Sequence, residues 1–515
     1  MIPKIISLYL PQFHEVKENS VWYGEGFTDW VSVKNARPLF EGHRQPRKPL
    51  DQNYYDLSRA ETIRWQAHLA KEYGIDGFCF YHYWFDSQNR LLEKPAELLL
   101  QHKEIEISFC FSWANESWKR TWSNVEKGNV WCDVCDSDSR KQNRKDRGLL
   151  VGQRYGREEE WKKHIEYLIP FFLDERYLKA DGKPVFCIYQ PCDIYCMKAM
   201  LEVWDVRLKE AGLPGIWLIG ASYGYLYSDN VDISYDHEPG TAFVKCREAQ
   251  EYEKSPEGTE FFDYDTMWGH ILDGIMPGRL SCAVTDFDAS PRKGFKSTIV
   301  KGSTPERFEN YFREFLERNL QAENELVLVN AWNEWGEGMY LEPCEEYGYG
   351  YLKAVKAAVE SMTKDGREVG REKSTDSGKE NKTRVLETKG RGLSRAAMQI
   401  SVFNGWLSAC RSGWRTVDFF HRYGYSTVAI YGMGLLGRQL YEELDESDLQ
   451  VLYYIDRAEI PGADTVPRVM PEAEWPEADC IVITAVAEFE TLYDMARQKS
   501  SGAIVNIREL FEDFF

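Results

Sequence analysis

The chain lacks a basic excess, a long hydrophobic run and any cluster of histidines. Its 515 residues carry 63 Lys and Arg against 83 Asp and Glu, a formal charge of -20. Phosphate affinity depends on clustered cations, so this balance argues against a nucleic-acid binder and disfavours a polyanionic substrate. No window approaches the ~18 uninterrupted apolar residues of a membrane helix. The opening MIPKIISLYLPQFH has no charged leader, no long apolar core and no small-residue cleavage site. No secretory signal is therefore expected, and a cytoplasmic location follows as the expectation. The nine His are dispersed, with no HExxH and no EF-hand loop, so no metal is expected. The 12 Cys are scattered. Cys132 and Cys135, with Cys192 and Cys196, leave a zinc site open beside the simpler reading of reduced, packed thiols.

What the chain has is rings: 17 Trp, 30 Tyr and 26 Phe, 14% of all residues. Disordered chains are poor in aromatics, so this is a folded protein with much flat apolar surface to place, and sugars stack on flat rings. Up to residue 362, eight short apolar runs alternate with helical patterns: 4–10, 74–81, 105–113, 184–190, 215–221, 231–236, 280–287 and 325–332. The clearest helix is 305–320. There Phe308, Tyr311, Phe312, Phe315 and Leu316 form one stripe, Thr304 can cap and Pro305 fits the first turn. Eight strands alternating with helices predict a (β/α)8 TIM-like barrel over 1–362, with its active site at the C-terminal ends of the strands.

The segment 363–392 holds nine Lys or Arg against six Asp or Glu and almost no aliphatics. It reads as a solvated, disordered charged linker. Residues 393–425 read as a helical connector that docks the C-terminal domain. Contact with an anionic membrane surface is the alternative. From 426 to 515 the pattern is α/β again, predicting a small Rossmann-like domain. The strand TVAIY leads into Gly432, Gly434 and Gly437, and the next strand ends at Asp456. This spacing is the dinucleotide fingerprint, with glycines for backbone approach to a pyrophosphate and an acid for the ribose. About 90 residues supply only half of a full Rossmann fold. Nucleotide binding and a retained scaffold both stay open.

The strongest chemical signal is Asn330-Ala331-Trp332-Asn333-Glu334-Trp335-Gly336-Glu337-Gly338, which follows the last barrel strand. Glycoside chemistry needs one carboxyl group to protonate the leaving oxygen and one ionised group as base or nucleophile. Two carboxylates held close separate their pKa values, so Glu334 and Glu337 are the candidate pair. Glu116, in Ala114-Asn115-Glu116-Ser117-Trp118, could pair with Glu334 instead; a role in binding substrate hydroxyls is preferred. Aromatic and polar residues gather near the other strand ends. Tyr9, Gln12, His14, Trp22 and Trp30 follow the first strand, and Tyr81, His82, Tyr83 and Trp84 the second. Asn115 follows the third, Tyr189 and Gln190 the fourth, Asp236, His237 and Glu238 the sixth, and Asp286 and Asp288 the seventh. Trp332, Asn333 and Trp335 flank the acid pair. Each alone suits core packing; together they favour a carbohydrate cleft.

Seven collinear motifs carry a resemblance. They are Tyr9-Leu10-Pro11-Gln12-Phe13-His14, Gly26-Phe27-Thr28-Asp29-Trp30, Gly74-Ile75-Asp76-Gly77-Phe78, Tyr81-His82-Tyr83-Trp84, Ala114-Asn115-Glu116-Ser117-Trp118, Asp181-Gly182-Lys183-Pro184 and Trp332-Asn333-Glu334-Trp335-Gly336-Glu337-Gly338. Over about residues 1–360 the chain resembles the WbsX family, glycosyltransferase-like proteins that belong with glycoside hydrolase family 99. The resemblance implies a barrel acting on α-mannoside-like sugars without a metal. It implies that Glu334 deprotonates the sugar 2-OH, which attacks the anomeric carbon with net retention. Glu337 would then be acid and base at the leaving group. Near Asp286-Phe287-Asp288 the chain departs from the family pattern, which puts substrate contacts there in doubt. The end of the chain resembles small Rossmann-like domains of bacterial surface-polysaccharide enzymes.

Three readings are open. The first is an enzyme of O-antigen or capsule synthesis that transfers or trims a glycosyl unit. Its substrate would be an oligosaccharide, lipid-linked glycan or nucleotide sugar, with other glycan-synthesis enzymes as partners. The second is an intracellular retaining glycosidase. The third is a non-catalytic carbohydrate-binding scaffold.

Overall fold

The structure is a computed structural model. It describes residues 2–123, 125–126, 130–131, 149–222, 230–365, 398–411, 413–458 and 466–514. Cys132 and Cys135 of the zinc reading lie outside these residues, as does 366–392 of the expected linker.

Eight parallel strands form the first unit. They are β1 (Lys4–Tyr9), β2 (Gly77–Trp84), β3 (Ser108–Trp113), β4 (Lys183–Ile188), β5 (Trp217–Ser222), β6 (Ile233–Asp236), β7 (Cys282–Val284) and β8 (Leu326–Asn330). Their spatial order is β6-β5-β4-β3-β2-β1-β8-β7, and a bridge between Tyr235 and Leu280 joins the two ends. The closed ring is the (β/α)8 barrel that the alternation predicts. Parallel neighbours require crossovers, and helices supply most of them. The helices of this unit include α1 (Ala60–Glu72), α2 (Glu158–Phe172), α3 (Met197–Glu210), α4 (Ser290–Lys293), α5 (Pro305–Gln321) and α6 (Gly350–Asp365).

Helix α5 shows how the sequence dictates an element. The Thr304 hydroxyl oxygen accepts the Arg307 backbone N–H at 3.2 Å, and Pro305 needs no partner in the first turn. Phe308, Phe312, Phe315 and Leu316 recur at helical spacing and are fully buried. Each contributes about 1.5–3 kcal/mol by leaving water. Phe312→Ala should cost about 3–5 kcal/mol.

Strand β2 shows the same logic at period two. Its even positions, Phe80, His82 and Trp84, meet outer elements. His82 Nε2 lies 2.9 Å from Nε2 of His164 on α2, and Trp84 stacks on that ring at 4.5 Å. Its odd positions turn inward. Cys79 reaches Cys187 of β4 at 3.9 Å, and Tyr81 and Tyr83 line the cleft at the top.

The second unit is a five-stranded parallel sheet of β9 (Thr427–Tyr431), β10 (Gln450–Ile455), β11 (Arg468–Val469), β12 (Cys480–Ile483) and β13 (Ala503–Asn506), ordered β11-β10-β9-β12-β13. Helices Thr416–Tyr423, Leu435–Asp445 and Phe489–Lys499 cover it, and 398–411 is a further helix. Its residues touch the barrel directly: Lys198 Nζ on α3 donates to Asp494 Oδ2 at 2.5 Å. Among the described residues, no helix is long and apolar enough to cross a membrane.

Candidate active site

A cleft of about 450 Å³ opens at the C-terminal ends of the barrel strands. Its floor is built after β8. Asn333–Glu334 pairs back against Met339–Tyr340, and the turn Trp335–Glu337 joins them. Gly338 closes that turn at φ 70, a conformation glycine takes without strain. Gly336 has a different reason. A Cβ there would meet Nε of Arg292 at 2.5 Å and Oδ2 of Asp29 at 2.6 Å. Only a bare backbone lets the guanidinium pass beneath the hairpin.

Arg292, on α4, is 2% exposed and bridges three carboxylates. Its Nη2 donates to Asp29 Oδ2 at 2.8 Å and to Glu334 Oε2 at 2.9 Å, and its Nη1 donates to Glu337 Oε1 at 2.8 Å. The Trp122 ring covers the guanidinium carbon at 4.5 Å. The two glutamates therefore occupy adjacent nitrogens of one planar fork, which fixes their spacing. Burial lifts the Glu334 carboxyl, Arg292 pulls it down and Glu337 and Asp29 push it up, which together hold it at about 8. The side chain of Glu337 keeps 29% of its surface exposed, against 8% for Glu334. Glu334 is the recessed member, and Glu337 faces the cleft.

The walls are aromatic. Tyr81, Tyr83, Trp118, Trp122, Tyr189 and His237 line them. Tyr83 meets Trp118 edge-on at 5.0 Å, and Tyr189 meets His237 at 4.9 Å. Glu116 accepts a hydrogen bond from Gln190 Nε2 at 3.2 Å, and desolvation in the cleft raises its pKa. Asn115 anchors this wall. Its Nδ2 donates to Tyr155 Oη and to the Gln190 carbonyl, and its Oδ1 accepts the Gln190 N–H.

Of the residues read from the sequence as site candidates, the cleft gathers Glu334, Glu337, Tyr81, Tyr83, Asn115, Glu116, Tyr189 and His237. The others lie outside its lining, for identifiable reasons. Tyr9 points outward and donates to Gln66 of α1 at 2.6 Å. Gln12 and His14 are buried, each with an unpaired side-chain nitrogen, and burial lowers the His14 pKa. Trp22 packs on Trp118 behind the wall at 6.0 Å. Trp30 donates to the Tyr55 carbonyl at 2.8 Å. His82 and Trp84 sit on the outward face of β2, and burial holds His82 near 3. Glu238 accepts the Ala242 N–H at 2.8 Å. Asp288 accepts from Gln45 at 2.7 Å and meets His43 at 2.9 Å; burial pushes its pKa up, but these partners and Arg47 outweigh it and hold it near 2. Trp332 is fully buried, Asn333 clamps the backbone of Leu10, and Trp335 stacks on Tyr340 at 3.7 Å. These residues hold the site in shape without reaching its surface.

Sequence reasoning missed Arg292, Trp122, Tyr155 and Tyr195. None stands in a motif with a glutamate, and only the fold brings them to the cleft. Two groups with metal-ligand chemistry occur among the described residues: Cys79, Cys110 and Cys187 within the barrel, and Cys246, Glu251 and His270. Neither lines the cleft.

At the second unit, Gly432 opens the glycine loop at φ 92. A Cβ at Gly437 would lie 2.1 Å from the Gly432 carbonyl oxygen. Asp456 accepts the Met433 N–H at 2.9 Å and the Ala458 N–H at 3.0 Å. Both its oxygens thus serve the loop and the strand end that carry it.

Two curated relatives, each an uncharacterized protein WxcX of Xanthomonas campestris pv. campestris, are 29% identical. The match to the strain B100 protein covers 69% of this chain and 49% of the relative; the match to the strain ATCC 33913 protein runs over 378 residues. The chain spans about half the length of these relatives. Among solved structures, the GH99 endo-alpha-mannosidase from Bacteroides thetaiotaomicron matches 70% of this chain and 97% of its own, at 13% identity and TM-score 0.41. The family model described as Glycosyltransferase WbsX matches residues 5–355, and the chain belongs to that family.

Proposed function

We propose that the barrel is a glycoside-active enzyme of bacterial surface-polysaccharide synthesis, transferring or cleaving a mannoside-like unit with retention. The observation that carries this reading is the pair Glu334 and Glu337 on one buried guanidinium, at the floor of an aromatic-walled cleft. Rings cover the C–H faces of a sugar, while Glu116 and Gln190 address hydroxyls and Asn115 holds them in place. Glu334, recessed and proton-avid, is the base for the sugar 2-OH: once ionised, a carboxylate with a raised pKa is the stronger base. Its oxygen takes the 2-OH proton as the 2-oxygen attacks the anomeric carbon. Glu337, facing the cleft, gives its proton to the departing oxygen and then draws one from the incoming water or sugar hydroxyl, as the bond between the 2-oxygen and the anomeric carbon opens and Glu334 returns its proton to the 2-oxygen. Arg292 holds both carboxylates in register throughout.

One observation favours a second assignment. Burial leaves the resting proton on Glu334 near neutral pH, as befits the acid. Exchanged roles then follow for the two glutamates, and leaving-group dependence separates the assignments: a substrate whose leaving group needs no proton spares the variant that lacks the acid.

The test is incubation with nucleotide-sugar donors, activated mannosides and lipid-linked acceptors, with products detected by mass spectrometry. A transferred or released hexose, lost in Glu337→Gln, is expected. No product with any donor moves the protein to the binding-scaffold reading.

The glycine loop is read as a scaffold, because Asp456 already serves its own backbone. Calorimetry with NAD(H) and nucleotide sugars checks this. Binding below millimolar concentration overturns it and returns Gly432, Gly434, Gly437 and Asp456 to a nucleotide site. The cytoplasmic location and partner enzymes belong to the same proposal, and they rest on the surface-polysaccharide reading.

A further inference from the structure

The cleft is not made by the barrel alone. Arg508 and Glu512 line it too, and both come from the final segment Ile507–Phe514, beyond the residues matched by the family model. Arg508 is 5% exposed. Its Nη1 donates to the Cys192 carbonyl and its Nη2 to Asp193 Oδ1, each at 2.8 Å. A further bond from Nη2 reaches Ser401 at 3.1 Å. Glu512 Oε1 accepts the Tyr155 N–H at 2.7 Å and the Tyr195 hydroxyl at 3.2 Å. Asp193, Tyr155 and Tyr195 line the same cleft. Tyr155 in turn accepts from Asn115 at 2.9 Å, the residue beside Glu116. A continuous set of polar contacts thus runs from the end of the chain to the sugar-facing wall.

We infer that the segment Ile507–Phe514 forms a specificity wall for the part of a neutral glycan remote from the reacting bond. The wall combines rings from Tyr155 and Tyr195, 5.8 Å apart edge-on, with groups that bind hydroxyls. Arg508 is already neutralised by Asp193, and Glu512 adds another carboxylate. Anionic phosphate is therefore repelled here, and uncharged sugar hydroxyls are suited. The inference rests on the glycoside reading above, and its own content is that the second unit selects longer glycans.

The experiment uses the full chain. Hydrogen exchange is followed by mass spectrometry with mannose and with mannotetraose. With mannotetraose, protection is expected at 113–118 and at 503–512; with mannose, at 113–118 alone. Kinetics then compare aryl glycosides of mannose and of mannotetraose. Glu512→Ala and Arg508→Ala should raise KM for the tetraoside at least tenfold more than for the monosaccharide, with kcat changed less than KM. Should buried Arg508→Ala fail to fold, half-exposed Glu512→Ala still decides. Protection confined to 113–118 with mannotetraose, or an equal effect on both substrates, overturns the inference and leaves the glycoside reading standing. Protection of neither segment overturns both.

Discussion

Arg292 places its Nη2 2.9 Å from Oε2 of Glu334. The same guanidinium holds Asp29 and Glu337, so one buried cation compensates three carboxylates. Removing one partner of a buried ion pair costs about 3–5 kcal/mol, because the remaining charge is left unpaired. Arg292→Met should lose about that much stability at pH 9, measured by urea unfolding. The loss should shrink at pH 5, because carboxyl groups without their cation take up protons instead. A loss independent of pH would reduce Arg292 to a packing element.

The raised pKa of Glu334 gives activity a direction in pH. One glutamate must be ionised and the other protonated, so the reactive form is the pair with a single proton, and kcat/KM should fall through about pH 8 as that proton is lost. The glutamates share one guanidinium, so the limb belongs to the pair rather than to Glu334 alone. A profile that stays level through pH 8 would mean that no proton of this pair takes part in the reaction.

Glu337→Gln removes the transferable proton and keeps a similar shape. Turnover of an aryl mannoside should fall by about 10²–10⁴-fold, while mannotetraose still binds by calorimetry. Retained turnover would remove Glu337 from the chemistry.

The barrel was legible because each strand is a short apolar run and the helices between them repeat at helical spacing. That Glu334 and Glu337 lie together at the cleft was legible because they stand three residues apart just after the last strand. The walls were harder. On β2 the reading of His82 and Trp84 as sugar contacts picked the wrong parity, since adjacent residues on a strand face opposite sides. Tyr81 and Tyr83 take the cleft, and no local signal distinguishes the two sets, since all four are aromatic. Arg292 was illegible for another reason: its partners Asp29 and Glu334 are 263 and 42 residues away. Arg508 and Glu512 are more remote still.

That parity makes its own prediction. Tyr83→Phe deletes a hydroxyl in the cleft and should raise KM for a mannoside several-fold, with little change in unfolding midpoint. His82→Gln breaks the contact with His164 behind the wall. It should cost about 1–3 kcal/mol of stability and leave kcat/KM within about twofold. The reverse pattern would put the even positions of β2 in the site.

Glu238 tests burial without catalysis. It is 2% exposed, and its carboxyl is pushed up to about 8, first by burial and then by the neighbouring Asp236. An unfolded glutamate titrates near 4.3. Between those values the folded state holds a proton that the unfolded state has lost, so stability falls as pH rises from about 4.3 to about 8. The slope is about 1.4 kcal/mol per pH unit for one such group, at most about 5 kcal/mol across the window. Glu238→Gln keeps an oxygen for the Ala242 N–H and carries no charge. The variant should match the parent near pH 5 and exceed it by a few kcal/mol at pH 9, read from urea midpoints at both values. Equal stability of the two proteins at pH 9 would mean that Glu238 is hydrated or paired in solution, and that the upward push of burial on its proton is absent.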